Sequence, residues 1–220
     1  MTHSSEVKIL LAPPKPEQAE LVTAEDLKKI LQQLKRDFDY VLVDTFPSLK
    51  EETQLAVLDV SDLILTVMTL EMPSIKDVRL FLEVADLLEY PRDKIALLLN
   101  RADSKHGLRA DNIEQIIRHP IAASLVSSGA AVTLSINQGT PLIIDVPDNP
   151  FSRDIANLAR EIVEGTLVTD KKTAGGAAKA PVGAGAGGKN GNAPAKAKSG
   201  GFFGLFRAKA WLIVLYSHFL

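Results

Sequence analysis

The chain contains no cysteine among its 220 residues, which excludes a disulfide framework and any thiolate-based metal site. Aromatic residues make up only 5%. Histidine is confined to His3, His106, His119 and His218, whose scatter has no metal-ligand spacing, so zinc is not expected. Long apolar runs are also missing. The longest, from Ala210 to Leu220, interrupted by His218, is about half of the roughly 20 residues that a spanning helix needs. Met1 to Glu6 has no basic region leading into an apolar stretch, so no secretory signal is expected. Outside one stretch glycine is rare: ten of the 14 fall between Gly175 and Gly204.

That uneven glycine usage sets the organisation. Residues 169–200 are Gly/Ala/Lys-rich with almost no large apolar side chain, the composition of a disordered linker. Residues 1–168 form the candidate globule, and residues 201–220 an apolar, basic C-terminal segment. The formal net charge of −2 conceals an asymmetry, because the last 52 residues hold eight Lys/Arg against the single acid Asp170. An acidic globule is not expected to bind nucleic acid, whereas a basic tail can meet a polyanion.

Within the globule, short β-branched-rich runs alternate with helical patterns. The runs are Val7–Leu11, Tyr40–Val43, Leu63–Val67, Ile95–Leu99 and, more weakly, Ala123–Val126. Near-continuous apolar runs of this length suit parallel strands covered on both faces. Thr23 with Asp26 reads as a helix N-cap, followed by Leu27, Ile30, Leu31 and Leu34 on one face. A second helix is expected from Pro73, with Ile75, Val78, Leu82 and Ala85 inward. Helices are also expected over Asp111–Arg118 and Ser152–Glu164. The alternation predicts an α/β fold with a mostly parallel sheet flanked by helices. In such sheets ligands bind beyond the carboxyl ends of the strands.

Two strand ends carry candidate chemistry. Tyr40-Val41-Leu42-Val43-Asp44 puts a carboxylate where the chain enters the crevice, the arrangement by which a Walker B acid holds hydrated Mg²⁺. The bland reading is that Asp44 caps a turn ahead of Pro47. Leu99-Asn100-Arg101 offers an amide suited to a purine edge and a guanidinium able to lie on a ring. Its bland reading is a loop in which Asn100 and Asp103 form side-chain turns. Arg118-His119 and Lys105-His106 read as solvated charges.

Taken together, Asp39-Tyr40-Val41-Leu42-Val43-Asp44-Thr45-Phe46-Pro47-Ser48, Leu98-Leu99-Asn100-Arg101 and Ser135-Ile136-Asn137-Gln138-Gly139-Thr140-Pro141-Leu142 resemble the MinD/ParA family of P-loop ATPases. Leu10-Leu11-Ala12-Pro13-Pro14-Lys15-Pro16-Glu17 and Tyr90-Pro91-Arg92-Asp93-Lys94 are similar to its CpaE/TadZ branch, which serves Flp (Tad) pilus assembly. The resemblance spans roughly residues 6–164. It implies ATP and Mg²⁺ as cofactors, Asp44 as the metal-binding acid with Thr45 beside it, and Asn100 and Arg101 at the base. It also implies a cytoplasmic protein, with self-association or pilus and polarity proteins as partners. Phe46 departs from the proline or glycine usual there.

The phosphate loop of that family, Lys-Gly-Gly-x-Gly-Lys-Thr, is not found in the sequence. Its amides and lysines neutralise the phosphates, so hydrolysis by this polypeptide alone is not expected. Gly183 to Lys189 fits Gly-x₄-Gly-Lys, but Asn190 follows and no strand precedes it, which leaves a chance match. The resemblance also makes the strand leading into the loop a central one, so the sheet is expected to have a gap or an extra edge. Two readings follow: an ATPase portion whose loop lies on another segment, or a non-catalytic interaction scaffold. For residues 201–220, three readings stand open: an interfacial anchor on anionic lipid at the inner membrane face, docking on the globule's own apolar surface, or an appended artefact of the reading frame.

Overall fold

The computed structural model describes residues 1–45, 48–104, 108–169 and 211–217. In chain order they form α1 (Pro16–Ala19), α2 (Ala24–Asp37), β1 (Tyr40–Thr45), α3 (Glu52–Val60), β2 (Leu63–Met68) and α4 (Met72–Leu87). A 3₁₀ turn (Arg92–Lys94) leads into β3 (Ile95–Asn100), followed by α5 (Ala110–Ile117) and β4 (Ile121–Leu125). Then come α6 (Gly129–Gln138), α7 (Leu142–Asp145), α8 (Pro150–Glu164) and β5 (Trp211–Ser217). The linker expected over residues 169–200 lies, after Thr169, outside the described residues, as do Phe46 and the Lys105-His106 pair.

Local rules account for most of these elements. The Thr23 hydroxyl accepts from the Asp26 amide at 3.1 Å while the Asp26 carboxylate accepts from the Thr23 amide at 3.3 Å. This capping box starts α2 where the sequence places it. Pro73 sits in the first turn of α4, and Ile75, Val78, Leu82 and Ala85 are all buried, with Phe81 added to the stripe. The sheet is wholly parallel, in the order β1-β5-β2-β3-β4.

The sheet has two unlike faces. Toward α2–α5 it presents Leu212, Val214, Tyr216, Ile64, Met68, Ile95, Leu97 and Leu99, forming the main core with Leu31, Leu58, Val78 and Phe81. The other face is thinner: Leu63, Leu65, Ala96, Leu98 and Ile213 pack on Leu158 of α8. A cluster at the amino end of the sheet ties α3 to the turn before β3. Lys94 donates to the carbonyls of Leu58 and Asp59 at 2.7 and 3.2 Å, a cation on a helix C-terminus. Burial alone would raise the Asp59 carboxyl, but hydrogen bonds from Lys28 and Tyr90 outweigh it and hold the pKa below the usual range.

Three features differ from the sequence-based expectations. Val7–Leu11 is not a sheet strand. Its backbone groups are met by the chain's own N-terminus, with Ile9 N to Met1 O at 2.9 Å, His3 N to Val7 O at 2.9 Å and a Thr2–Lys8 bridge. Val7, Leu10 and Leu11 stay exposed. His119 is not a solvated charge but buried, its ring nitrogens 3.1 Å from Pro120 O and 3.3 Å from Arg92 O.

The largest difference concerns the C-terminal segment. Residues 211–217 do not form an interfacial helix; they are the strand that closes the sheet between β1 and β2. Leu212, Ile213, Val214 and Tyr216 are at most 3% exposed, so this segment cannot at the same time lie in a lipid headgroup layer. An apolar run able to complete two parallel ladders gains both backbone hydrogen bonds and burial, which a lone interfacial segment lacks. Of the three readings of the tail, docking on the globule's own apolar surface describes these seven residues. No helix among the described residues is long and apolar enough to cross a membrane.

Candidate functional site

The carboxyl ends of β5, β2 and β3 open into a crevice of about 860 Å³. It is lined by apolar Phe81, Leu80 and Tyr216 and by charged Lys50, Arg101, Glu71 and Asp77. The rings of Phe81 and Tyr216 stack at 4.7 Å, joining α4 to β5. Burial, and secondarily the negative charge of Asp77, push the Tyr216 phenol up to about 12. Ser74, buried in the first turn of α4, accepts from the Thr69 amide at 3.0 Å and fixes the turn that follows β2.

The four residues singled out in the sequence all lie at carboxyl ends of strands, yet they do not converge. Asp44 is exposed and in register with Leu215, on the thinner face of the sheet. Thr45 is half-buried, and its hydroxyl is spent on the Leu215 carbonyl at 2.7 Å. Asn100 uses its side-chain oxygen to accept from the amide of the next residue, Arg101, at 2.9 Å, a local contact that is not the two-residue side-chain turn. Arg101 has a left-handed backbone, φ 53°, and alone of the four lines the crevice. Asp103 accepts from the Ser127 amide at 2.7 Å, which holds its carboxyl below the usual range. Two strands separate β1 from β3, so Asp44 and Asn100 stand roughly 14 Å apart at about 4.8 Å per strand. An extended ligand can bridge that distance, and a metal ion cannot.

Sequence reasoning missed Tyr216, Ser74 and the Lys50/Glu71/Asp77 rim. Tyr216 had no local signal, because its neighbours in space lie more than 130 residues away in the chain. Among the described residues no group of three or more His, Asp or Glu side chains is arranged to hold a metal ion.

Comparison with known proteins fits this architecture. No family model matches the sequence. The MinD septum site-determining protein of Bacillus subtilis is 31% identical over 150 residues, covering 64% of this chain and 53% of that protein. MinD of Thermotoga maritima is 27% identical over 148 residues, covering 65% and 54%. Among solved structures, a ParA family ATPase from Chlorobium tepidum superposes with a TM-score of 0.67 at 24% identity, covering 71% of this chain and 65% of that one. The chain has the MinD/ParA fold. Sequence relatives and structural neighbours both support the MinD/ParA-type superfamily of P-loop ATPases. The chain spans about half the length of the curated MinD relatives it matches.

A MinD/ParA nucleotide site needs a nest of amides and ammonium groups at the end of the strand beside the Walker B acid. Here the strand beside Asp44 is β5. The described glycines, Gly129, Gly139 and Gly165, belong to the ends of α6 and α8, away from the crevice. The Thr45 hydroxyl donates its proton to the Leu215 carbonyl of β5. Among the described residues, Asp44, Thr45, Asn100 and Arg101 do not converge into a site that fits Mg-ATP.

Proposed function

We propose that the chain is a non-hydrolysing, CpaE/TadZ-like member of the MinD/ParA superfamily that acts as an interaction scaffold in Flp (Tad) pilus assembly or localisation. The observation that carries the reading is the identity of the central strand. β5 restores the continuity of the sheet between β1 and β2, and the family positions Asp44, Thr45, Asn100 and Arg101 do not converge around it. The resemblance of the segments Leu10–Glu17 and Tyr90–Lys94 to the CpaE/TadZ branch supports the pilus assignment. A structural neighbour, the MinC:MinD complex of Aquifex aeolicus, supports docking of a protein partner as a use of this fold.

In this reading Asp44, Thr45, Asn100 and Arg101 are family positions that no longer assemble a nucleotide site. Purified chain is expected to show no Mg-ATP turnover above background, and Asp44→Ala is expected to leave that background unchanged. Turnover that Asp44→Ala abolishes would overturn the proposal and favour an ATPase whose phosphate cradle comes from another segment.

A further inference from the structure

Helix α4 gives the crevice a charged end and an apolar end. Ser74, Asp77, Phe81 and Val84 line it at three-, four- and three-residue spacing, which is one face of a helix. At about 1.5 Å of rise per residue that face runs roughly 15 Å along the crevice. Glu71 and Asp77 belong to the start of α4, and Lys50 and Arg101 to the loops after β1 and β3. Because the sheet is wholly parallel, all four charges lie toward its carboxyl end. Leu80, Phe81 and Val84 continue the lining along the later turns of α4.

These four charges are not spent on one another. Among the described residues the side chains of Lys50, Arg101, Glu71 and Asp77 enter no ion pair. On and beside the same helix, by contrast, Arg79 holds Glu83 and Arg92 holds Asp86. Asp77 is half-buried, so its carboxylate has lost part of its hydration without gaining a cation. Its charge reaches the Tyr216 phenol, so carboxylate and apolar wall adjoin. Arg101 offers a planar guanidinium, a fork that matches a carboxylate.

The balance of signs sets the charge of the ligand. A polyphosphate would meet Glu71 and Asp77 as like charges, and a polyamine would meet Lys50 and Arg101. A molecule with one ammonium, one carboxylate and an apolar body leaves neither sign opposed. The crevice volume of about 860 Å³ lies within the range of small-molecule sites.

We propose that the crevice binds a small zwitterion with a large apolar side chain, of the class of the aromatic α-amino acids. Its carboxylate meets Arg101, its ammonium meets Asp77, and its apolar body lies along Leu80, Phe81 and Val84. The site goes beyond the scaffold reading and does not depend on it, since no protein partner is needed. For a ligand of about 15 heavy atoms at ordinary efficiency, the dissociation constant is on the order of 0.5 mM.

The test titrates the full chain with L-tryptophan, tryptamine, N-acetyl-L-tryptophan and glycine, read by calorimetry and by ligand-observed NMR. L-Tryptophan should bind saturably, and glycine, which has no apolar body, should not. Tryptamine lacks the carboxylate and N-acetyl-L-tryptophan the ammonium, so each should bind about tenfold more weakly. Asp77→Asn should weaken L-tryptophan and tryptamine about tenfold and leave N-acetyl-L-tryptophan unchanged. Arg101→Gln should weaken L-tryptophan and N-acetyl-L-tryptophan and leave tryptamine unchanged. A merely structural role for either residue would not sort the ligands by charge. Absence of saturable L-tryptophan binding, equal affinity for the three indoles, or variants that weaken all three alike would each overturn the proposal.

Discussion

Asp62 joins three elements through one side chain. Its carboxylate accepts from the Leu212 amide at 2.8 Å and from the Lys35 ammonium at 2.6 Å, while its own amide donates to the Leu212 carbonyl at 2.8 Å. It thereby fixes the entry of β5 between the sheet and α2. Asp62→Ala leaves a buried amide unpaired, so urea denaturation should show a loss of about 1–3 kcal/mol. Lys35→Ala, which removes only the outer partner, should cost less. Tyr216 reports on the same strand at alkaline pH. Its folded pKa of about 12 lies above the ordinary value of 10.0, so the protonated phenol contributes stability that is complete below the unfolded pKa. That contribution is lost as pH rises through the folded value. Stability should therefore fall between about pH 10 and 12, and Tyr216→Phe should flatten that fall in pH-dependent denaturation curves. Of the candidate site, the positions of Asp44 and Asn100 at strand ends were legible from apolar runs that stop at a polar residue. Whether their side chains converge was not legible, because that depends on which strand lies between them.

At the scale of elements, β5 is the piece on which the others depend. Leu212, Ile213 and Val214 are nearly or wholly buried, and each such side chain is worth roughly 1.5–3 kcal/mol of burial. Val214→Asp places a charge in the main core and should cost more than about 4 kcal/mol or abolish cooperative unfolding. Leu215→Asp, at a half-buried position on the thinner face, should cost less. Four of the five strands and helices α2, α4, α5 and α8 were legible from periodicity and caps. Helix α3 was not, because Gln54, Ala56, Val57 and Leu58 bury most of its circumference and leave no amphipathic stripe to read. Val7–Leu11 carries strand-like residues but pairs with Met1–His3 instead of a sheet edge. An apolar heptamer such as Trp211–Ser217 gives no indication of its partners, since parallel ladders across more than 140 residues are set by tertiary vacancy and not by local pattern.

For the whole molecule, a MinD/ParA fold has its central strand supplied from the C-terminal side of the chain. The slot between β1 and β2 presents two ladders of unpaired amides and carbonyls unless a strand fills it, and an unfilled slot is a site for aggregation. Filling it with β5 gives a continuous parallel sheet and a closed main core through Phe81 and Tyr216. The proposed scaffold function rests on that one placement. It is tested most directly by cysteines at Asp44 and Leu215, which are register partners on β1 and β5, in a chain that has no other cysteine. The account predicts that mild oxidation or a short bifunctional thiol reagent links the Asp44→Cys/Leu215→Cys pair rapidly. A control pairing Leu215→Cys with a cysteine at exposed Ile136 should stay unlinked. Failure of the 44–215 pair to link in folded protein, or linkage no faster than the control, would contradict the placement of β5 and the functional reading built on it.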